Sequence, residues 1–250
     1  MRYFIELAYK GTNYHGWQVQ PNATTVQELI NKALSTIFRT PIEVVGAGRT
    51  DAGVHAEQLF AHVDVENEFK ISEVLYKVNA LLPNDICIYN ITEVNENAHA
   101  RFDALSRSYE YRIYIGRNPF LTETTWQLIN KKLNITKMNE AAKILLTYTN
   151  FKCFSRSNSD VKTYDCDVIK AEWILNDKLL VFHITADRFL RNMVRAIVGT
   201  LLDIGTEKIS IEQFKQIIKS KDRSMAGPSA PAQGLFLTQV TYPKTIFIHE

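Results

Sequence analysis

The sequence predicts an α+β fold: two similar strand–helix halves sharing a mainly antiparallel sheet. Three observations lead there. Strand-like and helical runs follow one another through the first hundred residues, and the same coarse rhythm returns in the second half without a sequence repeat. Asn176-Asp177-Lys178 lies between two strand-like runs, as in an antiparallel hairpin. No Pro-, Gly- or Ser-rich linker divides the chain, so two halves have to share a sheet or pack tightly. The halves are placed at residues 1–104 and 105–250.

The elements follow in order. Residues 3–9 read as a first strand, ending in the loop Lys10 to Gln18, which mixes glycines, aromatics and amides. Such a loop suits a surface that faces a ligand, and a simple turn is the competing reading. Thr24-x-x-Gln27 and Thr25-x-x-Glu28 each fit a capping box. Val26, Leu29, Ile30, Ala33, Leu34 and Ile37 then recur at helical spacing. β-Branched Ile42, Val44 and Val45 make Pro41 to Val45 a strand, and Gln58 to Val65 a second one. A helix from Ser72 runs to Pro83, and Ile86 to Val94 is another strand.

In the second half, residues 137–148 form a helix, and Phe151 to Arg156 leads into a polar loop. Val168 to Ile174 and Leu179 to Ile184 are the hairpin strands. Ser210-Ile211-Glu212-Gln213 caps a last helix over Ile211 to Ser220. Met225 to Ala232 is a loop, and Gly234 to Val240 a closing strand.

Composition narrows the class. The 250 residues are 46% hydrophobic and 22% charged, enough for one large core or two smaller ones. No apolar run approaches a membrane span, and the alternating Met1 to Leu7 lacks a signal-peptide pattern. Cys87, Cys153 and Cys166 are widely spaced and odd in number, with neither a disulfide framework nor metal-ligand spacing. The expectation is a cytoplasmic protein without a metal or an organic cofactor. A net charge of +2 does not by itself predict nucleic-acid binding, so any RNA footprint has to come from local clustering.

Three constellations carry possible chemistry. Gly46 to Ala56, between two strand-like runs, holds three glycines, one carboxylate at Asp51 and one guanidinium at Arg49. An Arg49–Asp51 ion pair would favour the charged carboxylate, which suits a nucleophile; equally, the pair would merely tighten a turn. From Ser108 onward, alternation puts Tyr109, Tyr111 and Ile113 on one strand face. There a tyrosine either packs in the sheet or holds an aromatic ligand. Arg101, Arg107 and Arg112 are phosphate-binding candidates. Arg188, Arg191 and Arg195 stand at i, i+3 and i+7, the spacing of one helix face, either a solvated stripe or an RNA contact.

The nine-residue string Gly48-Arg49-Thr50-Asp51-Ala52-Gly53-Val54-His55-Ala56 resembles the signature of the tRNA pseudouridine synthase A family. Arg107-x-Tyr109-x-Tyr111 is similar to a second motif of that family, and Met193-Val194-Arg195-x-Ile197-Val198-Gly199 to a third. The likeness runs from about residue 3 to residue 243. It implies the pseudouridine synthase fold, with helices on one side of the sheet and an active-site cleft on the other. It also implies an isomerase that turns uridine into pseudouridine at positions 38, 39 and 40 of the tRNA anticodon stem-loop. By the same resemblance Asp51 is the nucleophile, Arg49 and Arg195 are catalytic arginines, and Tyr109 is the substrate tyrosine. Arg101, Arg107, Arg188 and Arg191 are left to bind RNA. The family works as a homodimer on tRNA, without a metal or small-molecule cofactor.

The sequence departs from the family pattern at Lys10, where an aspartate is usual, and at Gln58-Leu59, where a Gly-Gln pair is common. The glycosidase-like chemistry needs neither a phosphate loop nor a dinucleotide fingerprint, and Gly46-x-Gly48 is too short to be one. Two other classes fit the residues. A non-catalytic RNA-binding module would use the same strands, aromatics and arginines, with no task for Asp51. A metal-independent hydrolase would pair Asp51 with His55.

Overall fold

A computed structural model describes residues 1–157 and 161–248, so the polar loop after Arg156 lies partly outside the described residues. Within them the chain forms β1 (Arg2–Tyr9), α1 (Val26–Phe38), β2 (Val45–Gly46), β3 (His55–Asp64), α2 (Ile71–Leu81), β4 (Ile86–Val94), β5 (Ser106–Ile115), β6 (Trp126–Leu128), α3 (Ile135–Ile144), β7 (Val168–Asn176), β8 (Leu179–Ala186), α4 (Met193–Gly205), α5 (Ile211–Ser220) and β9 (Leu235–Thr241). The fold is α+β. It divides into two compact units, residues 1–105 together with those from Phe236 onward, and residues 106–235.

In the first unit β1 is central, antiparallel to β3 on one side and β4 on the other. It is accordingly apolar on both faces, with Phe4, Ile5 and Leu7 almost fully buried. β9 joins β3 in parallel at His55↔Phe236 and Ala56↔Leu237. Thr25 caps α1 by accepting the Glu28 N–H at 3.4 Å, which makes Thr25 and not Thr24 the N-cap. α2 packs on α1 and β4 and ends at Leu81, with the extended Leu82 as its C-cap just before Pro83.

The strand expected over Pro41 to Val45 is corrected: only Val45–Gly46 pairs, with Ala61 and His62 of β3. The preceding residues hand their backbone groups to α1 instead. The Ile42 N–H donates to Ser35 Oγ at 2.8 Å, the Val44 N–H donates to Asn31 Oδ1 at 3.0 Å, and Gln27 Nε2 donates to the Val44 carbonyl at 2.7 Å. Three polar side chains on one helix thus replace a β ladder.

In the second unit β5 runs antiparallel to β8 and parallel to the short β6, and β7 pairs with β8 across a two-residue turn in which Asp177 has φ 52°. α3 packs on β7 and α4, and also touches α5. Its core includes Phe151, Phe154, Phe182 and Phe214. α4 is buried all round except at Arg195 and Asp203, so it is a core helix and not a basic stripe. Arg188 and Arg191 therefore do not share a helix face with Arg195. Asn192, the residue before α4, has φ 68°, and that left-handed turn separates the two earlier arginines from the helix.

Candidate active site

Asp51 sits half-buried on the loop between β2 and β3, with Arg49 exposed beside it. The Val54 N–H donates to the Asp51 carbonyl at 3.2 Å, closing a four-residue turn in which Gly53 has φ 77°. That conformation is strained for a residue with a Cβ. The turn therefore fixes where the aspartate leaves the backbone.

The loop does not stand alone, because residues 9–17 are laid against it. Tyr9 Oη and Thr50 Oγ1 share a hydrogen bond of 2.8 Å, and the Trp17 N–H donates to the Thr50 carbonyl at 3.3 Å. The Gly53 N–H donates to the Tyr14 carbonyl at 3.2 Å. The Gly11 N–H donates to Nδ1 of His55 at 2.9 Å, and a Cβ at Gly11 would stand 2.0 Å from the Val54 carbonyl oxygen. His55 is 1% exposed and stacked on Phe236 at 4.5 Å. As its Nδ1 accepts, a neutral His55 ring carries its proton on Nε2. These contacts give His55 a packing role.

Asp85 anchors the outer end of the same segment. Its carboxylate accepts from the Tyr14 hydroxyl and, at 3.0 Å, from Asn13 Nδ2. Burial first, and then the Asp85 carboxylate, push the Tyr14 phenol well above its ordinary range. It stays a neutral donor. The loop expected to face a ligand is thus largely a buttress for the aspartate's turn.

In the second unit Tyr109 lies on β5 opposite Ile184, with its ring edge-on to Phe189 at 5.1 Å. It is half-buried, whereas Tyr111 is fully buried and donates its hydroxyl to the Pro231 carbonyl at 2.7 Å. Arg195, on the first turn of α4, donates Nε to the Ala230 carbonyl at 2.7 Å, and the Ala230 N–H returns a bond to the Arg195 carbonyl at 3.0 Å. The loop that receives Arg195 is held in turn. Asn192 Nδ2 and Arg223 Nη2 both donate to Ser229 Oγ, at 2.7 and 3.0 Å, and the Gly227 N–H donates to Thr200 Oγ1 at 2.9 Å.

The remaining arginines are scattered. Arg101 is exposed with its guanidinium over the Phe102 ring, and Arg107 donates Nη1 to the Asp187 carbonyl at 2.8 Å. Arg191 is exposed and Arg188 half-buried, both ahead of α4. Arg112 pairs with Glu110 at 2.7 Å within β5. Among the described residues no cluster of three His, Cys, Asp or Glu side chains is arranged to hold a metal, and no helix is long and apolar enough to cross a membrane. Cys153 and Cys166 are buried free thiols, each pushed up to about 12 by burial.

The family model described as tRNA pseudouridine synthase matches residues 7–103 and 141–243. The chain belongs to the tRNA pseudouridine synthase family. Full-length relatives agree. The tRNA pseudouridine synthase A of Bacteroides thetaiotaomicron is 50% identical over 100% of this chain and 93% of its own. That of Bacteroides fragilis is 51% identical over 98% of each, and that of Acetivibrio thermocellus 39% identical over 94% of this chain and 97% of its own. The matched stretches contain Arg49, Asp51, Arg101, Arg188, Arg191 and Arg195, while Arg107 and Tyr109 fall between them.

As a pseudouridine synthase family member the chain handles its departure at Gln58 in a specific way. Between Leu7↔Leu59 and Tyr9↔Ala56 the ladder of β1 and β3 slips by one residue, so β3 carries a bulge at Glu57-Gln58. The Gln58 side chain mends the gap. Its Nε2 donates to Glu6 Oε1 at 2.6 Å, and its Oε1 accepts the Val240 N–H of β9 at 3.0 Å. At the other departure Lys10 is exposed, and its N–H donates to the Asp85 carbonyl at 2.9 Å. Sequence reasoning missed Tyr9, Asp85 and Arg223, and gave Gly11, Tyr14 and Gln58 no bracing role. A polar or aromatic residue carries no mark in sequence that it braces a loop far along the chain.

Proposed function

We propose that the protein isomerises uridine to pseudouridine at positions 38, 39 and 40 of the tRNA anticodon stem-loop. The observation that carries this is Asp51 in its braced turn, inside a chain that matches the family along most of its length. In the reaction the N1–C1′ bond breaks, the uracil turns, C5 bonds to C1′, N1 gains a proton and C5 loses one. Positive charge gathers on C1′ as in a glycosidase. The Asp51 carboxylate either adds to C1′ and leaves again when C5 attacks, or takes the C2′ proton to form a glycal and returns it when C5 bonds to C1′.

Arg49 and Arg195 orient the Asp51 carboxylate toward the sugar, and Tyr109 holds the extruded base by its ring face while its hydroxyl hydrogen-bonds. The base has to leave its stack first, at a cost of a few kcal/mol that is least in loops and at stem ends. Arg101, Arg107, Arg188 and Arg191 meet phosphates. With a net charge of only +2, two chains in a homodimer would pool their arginines over one tRNA. Three free cysteines, two of them buried, suit a reducing cytoplasm. No organic cofactor enters this scheme.

The test is incubation of the purified protein with tRNA transcripts carrying uridine at each position in turn, followed by mapping of pseudouridine. Formation at 38–40 supports the reading. Tight tRNA binding without any pseudouridine would leave an RNA-binding module in its place.

A further inference from the structure

The segment from Ala98 to Leu105 exposes two large apolar side chains, Phe102 (74%) and Leu105 (58%), yet its backbone is held nearly residue by residue. The Ala100 N–H donates to His62 Nδ1 at 3.2 Å, and the N–H groups of Arg101 and Phe102 donate to His99 Nδ1 at 3.1 and 3.3 Å. The His99 N–H donates to Asp103 Oδ2 at 2.7 Å, and the Ala100 carbonyl accepts the Tyr242 hydroxyl at 2.6 Å. Burial and the nearby Arg2 depress both histidines, His62 to about 4, so both rings are neutral acceptors at neutral pH. An exposed ring on so fixed a mount is not a mobile side chain that water happens to reach.

The rings also form a ladder leading out of the core. His62 is 6% exposed; His99 meets it at 4.6 Å, Phe102 meets His99 at 4.2 Å, and the Arg101 guanidinium caps Phe102 at 5.7 Å. Beside the ladder lies a concavity of about 490 Å³ lined by Asn95, Asn97, Phe102, Leu105, Pro243 and Ile246, among others. Its lining mixes apolar side chains with two amides and the Asp103 carboxylate. His62 is seven residues along β3 from His55, which is roughly 23 Å from the aspartate's turn at strand rise.

We infer that Phe102 and Arg101 form a stacking platform for an unpaired nucleobase of the tRNA, remote from the uridine that reacts. The inference rests on the tRNA reading above. A planar cation over an aromatic ring is a surface on which any base stacks, and the same guanidinium answers the adjoining phosphate. A second copy of this chain would have to desolvate the Arg101 guanidinium together with the ring, whereas a nucleotide offers its base to the ring and its phosphate to the guanidinium. The platform fixes the RNA by a base outside the chemistry, and so sets its register over Asp51.

The test compares tRNA dissociation constants of the full chain and four variants, with sedimentation of each. Phe102→Ala is expected to weaken binding by about fivefold to a hundredfold, the loss of one stacked base. Phe102→Leu is expected to be nearly as weak, because it keeps apolar bulk without a π face. Phe102→Trp keeps affinity, and its fluorescence is quenched when tRNA binds. Arg101→Lys retains the salt dependence but loses part of the affinity. Unchanged affinity in Phe102→Ala, or a Phe102→Leu equal to the parent, would overturn the platform. So would a change of oligomeric state in Phe102→Ala that accounts for its weaker binding. A parent protein that binds tRNA without forming pseudouridine would defeat the functional reading alone.

Discussion

The backbone N–H of Gly11 donates to Nδ1 of His55 at 2.9 Å, in a place where a single added carbon on Gly11 would stand 2.0 Å from the Val54 carbonyl oxygen. This contact joins the first loop of the chain to the turn that carries Asp51. Gly11→Ala has to push the two loops apart, and is expected to cost about 1–3 kcal/mol of stability with a matching loss of turnover. His55→Asn keeps an acceptor for the Gly11 N–H. It should lower the melting temperature while leaving measurable turnover. Full stability with turnover lost would instead restore His55 as an acid–base group.

Gln58 bridges Glu6 and Val240 across the bulge in β3. Gln58→Ala leaves the Val240 N–H without this acceptor and is expected to cost about 1–3 kcal/mol in denaturant melts. Gln58→Glu should be worse at neutral pH and recover as pH falls, because it sets a second carboxylate against Glu6. Gln58→Ala as stable as the parent at pH 7 would show that the bridge carries no weight.

His62 gives a pH signature. Its folded pKa lies near 4, below the ordinary 6.5, chiefly through burial and then Arg2. The unfolded chain therefore binds the proton first. The stability tied to neutral His62 is whole above pH 6.5 and is lost as pH falls toward 4, up to about 3 kcal/mol. Melting temperature should drop over that window, and the drop should shrink in His62→Asn. A variant with the parent's slope would place the titration elsewhere.

If Arg195 acts on Asp51 as proposed, Arg195→Ala is expected to cut turnover by about 10²–10³-fold, far more than it weakens tRNA binding. It also gives up the bond to Ala230, so a small fall in melting temperature accompanies it. Tyr109→Phe keeps the ring and should hold affinity within a few-fold while turnover falls by about 10²-fold. Loss of affinity in step with turnover in both variants would make them RNA-backbone contacts.

Much of this was legible in the sequence wherever the signal was local. Ser210 and Gln213 form the reciprocal cap of α5, Thr25 caps α1, and Asp177 turns the β7–β8 hairpin with a positive φ. The string around Asp51 pointed to the family before any geometry. What stayed hidden depends on distant partners or on single backbone reversals. Ile42 and Val44 have the β-branched look of a strand, but Ser35, Asn31 and Gln27 on α1 take their hydrogen bonds. The i, i+3, i+7 spacing of Arg188, Arg191 and Arg195 presupposes one helix, and the left-handed Asn192 interrupts it. Residues 10–18 have the composition of a binding loop because glycines and aromatics also serve a tight buttress.

The central claim is that Asp51 performs the chemistry of a pseudouridine synthase while its turn is held by other residues. It is tested most directly by measuring pseudouridine in a tRNA transcript treated with the parent protein and with Asp51→Asn. The account predicts pseudouridine from the parent and none from the variant, with melting temperature and tRNA affinity the same for both. Turnover by the variant within about tenfold of the parent, less than the loss of a covalent or charge-stabilising carboxylate should cost, would contradict it.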